Sequence, residues 1–282
     1  MKNARMKDLW VRIAIHSVMI IVAFLALYPL FVMIAGSFKT IHELFLNSSG
    51  WPQNPTLDNY TRMLTYNSGA ITRSYFNAIF ICSTYTVLTL IVASMAGYVF
   101  SKYRFKGRNL LFIALLFTMM VPMEVNIAPL YLIFSRIKWL NTYQVQIFPG
   151  IASVFAMFVC RQNMDAIPDS ILEAARIDGA GHFRVYRDVV IPASAPALGA
   201  LAILVFLGKW NEYLFPKIMV IKPRFMTIMV ILPTLRVEDG SINMPWDIVL
   251  AGCAIVTVPL LLVFLAFQDR FLASVTIGAV KG

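Results

Sequence analysis

The sequence predicts an all-α, polytopic membrane protein: six transmembrane helices in a single domain spanning residues 1–282. Three observations predict it. Of 282 residues, 59% are apolar and only 13% charged, against about 45–50% and about 25% in ordinary soluble domains. Mean hydropathy is +0.74. The apolar residues gather into runs of roughly 20, the length a helix needs to cross a hydrocarbon core, and none alternates with the period of two of a membrane β-barrel. A soluble fold of this size cannot bury so much apolar surface and keep a polar coat. A soluble enzyme, a disordered chain and a secreted disulfide scaffold are therefore excluded. Cys82, Cys160 and Cys253 are odd in number and each lies in an apolar stretch, so they read as small buried hydrophobes rather than a disulfide or metal set.

The first expected span is Ile13–Gly36. Lys2, Arg5, Lys7 and Arg12 precede it, but its apolar run exceeds the roughly 7–15 residues of a signal-peptide core, so it reads as a retained span. The second, Ser74–Phe100, ends at a basic turn, Lys102–Arg108. The third, Leu110–Phe134, contains Pro122 and Pro129, which predict a kinked or locally opened helix. Tyr143–Val159 is the expected fourth span and Ala197–Ile221 the fifth, the latter beginning among Pro192 and Pro196. Ile248–Phe267 is the sixth, so the membrane core covers about residues 70–268 plus the first span. With the N-terminus inside, the inner loops and termini carry 14 Lys and Arg (residues 2, 5, 7, 12, 102, 104, 106, 108, 161, 176, 184, 187, 270 and 281) against 8 outside (39, 62, 136, 138, 217, 222, 224 and 236). The positive-inside rule then places both termini in the cytoplasm. The net charge of +10 reflects these scattered loops rather than a nucleic-acid-binding stripe.

The loop between spans four and five, residues 163–196, is the least membrane-like stretch of the inner face. Asp165, Asp169, Glu173, Asp178 and Asp188 lie in it. Pro168 opens it, and Ser170 with Glu173 has the spacing of a capping box. Ile171, Leu172, Ala174, Ala175 and Ile177 continue a short helix of good formers, and Gly179 fits a C′ position. A second helical run follows from Gly181, with Phe183, Tyr186 and Val190 on one apolar face. From the residues alone this is either a compact two-helix knob, with Ala174, Ala175, Gly179 and Ala180 allowing close approach of another backbone, or an amphipathic interfacial loop.

Charged groups at bilayer depth cost roughly 2.5–3.5 kcal/mol and usually face protein or a water-filled cavity. Glu124, Lys209 and Glu212 stand out, with Asn126 and Asn211 beside them. Glu124, Asn126, Trp210, Asn211 and Glu212 are the candidate translocation-pathway residues, since proline and polar groups near the midplane mark transporter binding sites. Lys209 and Glu212, three apart, share a helix face and alternatively pair with each other. Trp210 and Tyr213 offer an aromatic face, or pack. His16, His42 and His182 have no metal-ligand spacing. Neither a GxxxxGK[ST] phosphate loop nor a GxSxG or HExxH motif is present, so no catalytic or metal residue is expected.

The order Glu173-Ala174-Ala175, three residues, Gly179, nine residues, Val189-x-Ile191-Pro192 resembles the EAA loop (EAA-x3-G-x9-I-x-L-P) of ABC-importer permeases; Val189 and Ile191 are conservative departures. Leu27-Tyr28-Pro29, Ser37-Phe38-Lys39, Ala96-Gly97-Tyr98, Val121-Pro122, Ala128-Pro129-Leu130-Tyr131, Trp210-Asn211 and Gly278-Ala279-Val280-Lys281-Gly282 are similar to the carbohydrate-uptake subfamily, in particular the maltose-type second permease subunit. The resemblance implies a permease of a bacterial or archaeal inner membrane that is not itself an enzyme. It would form a heterodimeric pore with a second permease subunit, work with two cytoplasmic ATPase subunits that bind ATP and magnesium, and receive a sugar from an extracytoplasmic solute-binding protein. Glu173, Ala174, Ala175, Asp178, Gly179 and Ala180 would form the ATPase-coupling helix, Glu173 as a polar anchor. Much of the sugar contact would come from the other permease subunit. A glycerol phosphate ester is the alternative solute; a membrane-embedded enzyme or a lone ion-coupled carrier is the reading from another class.

Overall fold

The structure is a computed structural model that describes residues 2–235 and 244–279, with side chains at 10–235 and 244–266. The described residues form helices and no strand. In chain order these are α1 (Lys2–Ser37), α2 (Ile41–Leu46), α3 (Asp58–Lys102, two helices joined across a kink of non-helical backbone at residues 66–69), α4 (Arg108–Thr118), α5 (Met123–Arg136), α6 (Gln144–Ile147) and α7 (Val154–Asp165). They continue with α8 (Asp169–Ile177), α9 (His182–Val185), a π-helical turn (Tyr186–Val190), α10 (Ile191–Ala193), α11 (Ala195–Trp210), α12 (Leu214–Met219), α13 (Ile228–Ile231) and α14 (Trp246–Ala279). The chain groups into two compact units, Met1–Ile71 with Leu232–Thr257, and Thr72–Ile231 with Val258–Gly282.

Among the described residues, Trp10–Ser37, Asp58–Lys102 and Trp246–Ala266 are long and apolar enough to cross a bilayer, and two bent helix pairs raise the number to five if each is one span. The expected third span is one such pair. α4 and α5 meet at 92°, with Pro122 at the N-cap of α5. Proline disfavours helical backbone in the residue before it, and the chain turns there. Pro129, by contrast, sits inside α5 without ending it. The second pair, His182–Ala193 with Ala195–Trp210, bends by 78° between Pro192 and Pro196.

Two expected spans are corrected. Tyr143–Val159 is not one helix. α6 ends before Pro149-Gly150, Gly150 takes φ +88°, and α7 restarts with Ser153 Oγ accepting from the Ala156 amide at 3.2 Å. Hydropathy averages side chains and is blind to a left-handed residue and a new cap. The expected Ala197–Ile221 span breaks at Asn211–Tyr213 into α11 and α12.

In the first unit, the segment between α1 and α3 is held by buried polar contacts. Lys39 is fully buried, and its Nζ donates to Asn47 O at 2.5 Å and Gly50 O at 2.7 Å. Asn59 Nδ2 donates to the Ser37 and Lys39 carbonyls. Arg62 pairs with the buried Asp247 at 2.8 Å.

In the second unit, α3 and α7 touch backbone to backbone. A Cβ on Gly97 would lie 2.6 Å from Cys160 Cβ and 2.9 Å from the Arg161 amide nitrogen. Around this contact Tyr98, Met164, Leu172, Val185 and Leu201 form an apolar core. It joins α3, α7 and α11 to the 163–196 loop.

Candidate functional site

The loop 163–196 folds into a two-armed peg packed on the core it shares with α3, α7 and α11. α8 starts behind Pro168, which occupies the N-cap with no side-chain hydrogen bond. The expected capping box does not form, because Ser170 already lies within the first helical turn. The helix start is instead tied to the end of α3: Lys102 Nζ donates to Ile167 O at 2.6 Å and to Asp169 Oδ1 at 2.8 Å. This lysine holds the Asp169 carboxyl below its ordinary pKa, first through the hydrogen bond and then through its charge. Leu172, 2% exposed, anchors the inner face, with Ala175 and Ala180 packed beside it.

At its other end α8 closes with a Schellman motif. The Gly179 amide donates to Arg176 O and the Ala180 amide to Ala175 O, both at 3.0 Å. Gly179 has φ +83°, the left-handed region that glycine enters without penalty. The run after Gly181 differs from the expected face. Val185 and Val190 are fully buried while Phe183 is 64% exposed, because the π-helical turn at Tyr186–Val190 shifts the register from four residues to five. Tyr186 Oη meets Ser94 Oγ at 2.7 Å, and Tyr103 Oη meets His182 Nδ1 at 2.7 Å. These bonds fasten the second arm of the peg to α3.

The coupling candidates are thus brought together. Glu173, Ala174, Asp178 and Gly179 are exposed, and Ala175 and Ala180 are half-buried. The outer face also exposes two of the helix residues named from the sequence, Ile171 and Ile177, the latter to 86%. With Ala174 they form an i, i+3, i+6 apolar stripe on the side away from the buried Leu172. A short helix with apolar stripes on both sides is suited to being gripped between two surfaces.

The pathway candidates separate. Glu124 lies at the edge of an open, mostly apolar groove of about 660 Å³ shared with Ile127, Tyr131, Leu214 and Ile218. Asn126, half-buried, does not line it. Trp210 is in the core instead: 1% exposed, stacked on Phe206 at 5.6 Å and edge-on to Tyr75 at 6.2 Å, with its Nε1 unpartnered. Asn211 donates to Leu207 O at 2.8 Å and closes its own helix. Glu212 accepts from Lys209 Nζ at 2.6 Å; of the two sequence alternatives, the pair forms. Their side chains are 29% and 7% exposed. Lys209 also stands 4.6 Å from the centroid of the Tyr85 ring.

The pair lies in the wall of a second cavity, of about 300 Å³, with Tyr85, Thr89, Ser153 and Phe155. None of those four was singled out from the sequence. Ser153 carried a readable signal, a cap residue after Pro-Gly; Tyr85 and Thr89 read as ordinary span residues. Tyr85 Oη donates to Gly150 O at 3.0 Å, so the break between α6 and α7 builds part of this wall.

Comparison with known proteins gives the following. The profile of the family described as binding-protein-dependent transport system inner membrane component matches residues 89–277. The chain is 34% identical over 264 residues, 93% of each chain, to the arabinooligosaccharides transport system permease protein AraQ of Halalkalibacterium halodurans. It is 33% identical over 265 residues, 93% of this chain and 94% of the other, to the trehalose/maltose transport system permease protein MalG of Thermococcus litoralis. Its fold matches, with a TM-score of 0.79 and 24% identity over 94% of this chain and 98% of the other, a chain of a bacterial ABC transporter that imports the acidic polysaccharide alginate.

Proposed function

The chain belongs to the binding-protein-dependent transport system inner membrane component family and is a permease subunit of an importer, and we propose that its solute is a saccharide, driven across the membrane by partner ATPases through the peg at residues 169–180. The observation that carries this reading is α8 itself. Its start is tied to α3 by Lys102, its end is closed on itself by the Gly179 motif, and it offers the outward stripe Ile171–Ala174–Ile177 to a partner. A rigid, seated peg transmits ATPase closure; a two-state pore then shifts by the difference in partner binding between its states.

On this reading the helices make six crossings of the inner membrane, with both termini and the peg on the cytoplasmic side. A second permease subunit completes the pore. Two ATPase subunits hold ATP and magnesium, consistent with the lack of a phosphate-loop motif in this sequence. An extracytoplasmic binding protein delivers the solute. In support of that partner, a related importer has been crystallised with an alginate pentasaccharide-bound periplasmic protein. Support for a saccharide comes from relatives named for arabinooligosaccharides and for trehalose or maltose. The glycerol phosphate ester fits less well, because Lys209, the cation in the wall of the 300 Å³ cavity, is already neutralised by Glu212.

The test is reconstitution of this chain with its partner permease, ATPases and binding protein in proteoliposomes. ATP-dependent accumulation of one radiolabelled oligosaccharide from a panel is expected. Absence of any sugar accumulation by an assembled, ATP-hydrolysing complex refutes the saccharide reading. A cysteine at position 177 that never crosslinks to an ATPase subunit refutes the peg.

A further inference from the structure

We propose that the basic turn between α3 and α4, residues 104–110, binds the phosphate of an anionic phospholipid whose acyl chain lies along α4. The proposal takes from the reading above only that α3 and α4 enter the membrane; it does not depend on what the importer carries.

α3 ends at Lys102 and α4 begins at Arg108, so the turn stands where two crossings meet the membrane surface. It shapes an open hollow of about 310 Å³, lined by Arg104, Phe105, Gly107, Arg108, Asn109 and Leu110, with room for a phosphate and its glycerol. No Asp or Glu occurs between Asp58 and Glu124. The carboxylate that the fold does bring to this end of α3, Asp169, is taken by Lys102 at 2.8 Å. Arg104 and Lys106 are exposed, and among the described residues neither they nor Arg108 forms an ion pair. Arg108 is held in place rather than neutralised, its Nη1 donating to Tyr103 O at 3.2 Å. The first turn of α4 behind them has neither an acidic residue nor a side-chain cap, so its amides add to the positive potential. Three cations at alternate positions without a counter-charge repel one another, and an anion between them relieves that.

The second half of the site is apolar. Leu110, in the wall of the hollow, is 75% exposed, and Ile113 and Phe117, at i+3 and i+7, are 50% and 63% exposed. This spacing puts all three on one face of α4, a stripe that starts at the hollow and runs along the helix.

The two halves together choose the occupant. A soluble anion has no use for the stripe. An acidic protein surface neutralises the cations and leaves the stripe uncovered. A choline or ethanolamine headgroup presents an ammonium to cations of the same sign. An anionic phospholipid supplies a phosphate for the cations and hydrocarbon for the stripe.

The experiment titrates the assembled importer, purified in detergent and stripped of lipid, with phosphatidylglycerol or phosphatidylcholine. Bound lipid is read by native mass spectrometry, and the melting temperature is followed in parallel. The wild-type complex is expected to prefer phosphatidylglycerol and to melt higher in its presence. Arg104→Gln with Lys106→Gln is expected to weaken one phosphatidylglycerol site by about thirtyfold, at about fivefold per cation, with an unchanged melting temperature in the absence of lipid. Lys106→Gln alone, a change to one exposed side chain, keeps the test if the double variant fails to assemble, with an expected loss of about fivefold. Arg136→Gln with Lys138→Gln removes the same charge from the C-terminal end of α5 and is expected to keep the site. Inorganic phosphate in millimolar excess is expected not to displace the lipid. Equal binding of the two lipids by wild type overturns the proposal, as does phosphatidylglycerol binding that the 104/106 variants retain in full. Displacement by inorganic phosphate shows an anion site without a lipid and overturns it as well. So does a cysteine at position 106 that crosslinks to an ATPase subunit, because protein then covers the turn. None of these readouts involves sugar, so failure of this site and failure of the saccharide reading are told apart.

Discussion

Substituting Gly179 by valine separates folding from coupling. The residue sits at φ +83°, and a Cβ there meets nothing within 4 Å in this chain. The penalty is therefore backbone strain alone, about 1–2 kcal/mol for an L-residue in left-handed geometry, with a β-branched side chain at the upper end. Set against a folding free energy of about 5–15 kcal/mol, that leaves the protein folded, with a melting temperature lowered by a few degrees at about 2–4 °C per kcal/mol. The strain is relieved by opening the Schellman bonds to Ala175 and Arg176, which unwinds the end of α8 that carries Ile177. Gly181 is the control: it too has open space around it, but its φ is −69° in extended backbone at a helix N-cap, where serine is favoured. ATP-dependent sugar uptake in proteoliposomes, measured with the melting temperature of the complex, is the assay. Uptake should be lost in Gly179→Val and kept in Gly181→Ser. Wild-type uptake in Gly179→Val, or equal losses in both, would refute the reasoning.

Lys209→Met strands Glu212 without its cation and should destabilise by about 3–5 kcal/mol, while Lys209→Met with Glu212→Leu should recover most of that; equal melting temperatures for the single and double variants would contradict it. Gly97→Ala forces α3 away from the α7 backbone, because contacts of 2.6 and 2.9 Å cannot be absorbed by a side-chain rotation. A loss of about 1–3 kcal/mol should appear as a fall of several degrees by thermal melting. The Asp169 carboxyl is held below its ordinary pKa in the folded state, so its pairing stabilises above the unfolded pKa of about 3.9 and is lost as pH falls through the depressed value. Asp169→Asn should therefore be less stable than wild type near neutrality, with the gap closing on acidification below about pH 4; a pH-independent gap would show that Lys102 is not the cause. Glu173→Lys reverses a charge on the exposed face of α8 and should abolish uptake while the chain still expresses, measured by membrane blot and uptake together.

What could be read from the sequence was local. Gly179 was legible because a glycine four residues after Ala175 at the end of a helix-forming run has few other uses. The Lys209–Glu212 pair was legible as an alternative because three residues bring two side chains onto one face. The first and last long helices followed from unbroken apolar runs. What was not legible depended on distant parts of the chain. Lys102 was counted only as a basic loop residue, and its grip on Ile167 and Asp169 spans 65 residues and more. Trp210 was read either as a pathway aromatic or as packing, and its contact with Tyr75, from a helix far earlier in the sequence, is not visible in local spacing. The break at Pro149-Gly150 had its signal in plain view, but apolar content around it masked a backbone event. Phe183 was grouped with Tyr186 and Val190 on one apolar face because no sequence pattern marks a π-helical turn.

The contact at Gly97 has a mechanical consequence. With no clearance between two backbones, α3 and α7 cannot slide or roll past each other; they are welded where they cross. Motion within this unit must be taken up at articulations, and the chain supplies them at residues 119–122, 148–153, 193–195 and 211–213, each a place where helical bonding is already interrupted. The lever and its hinges are thus drawn by where the sequence puts its smallest side chain and its prolines.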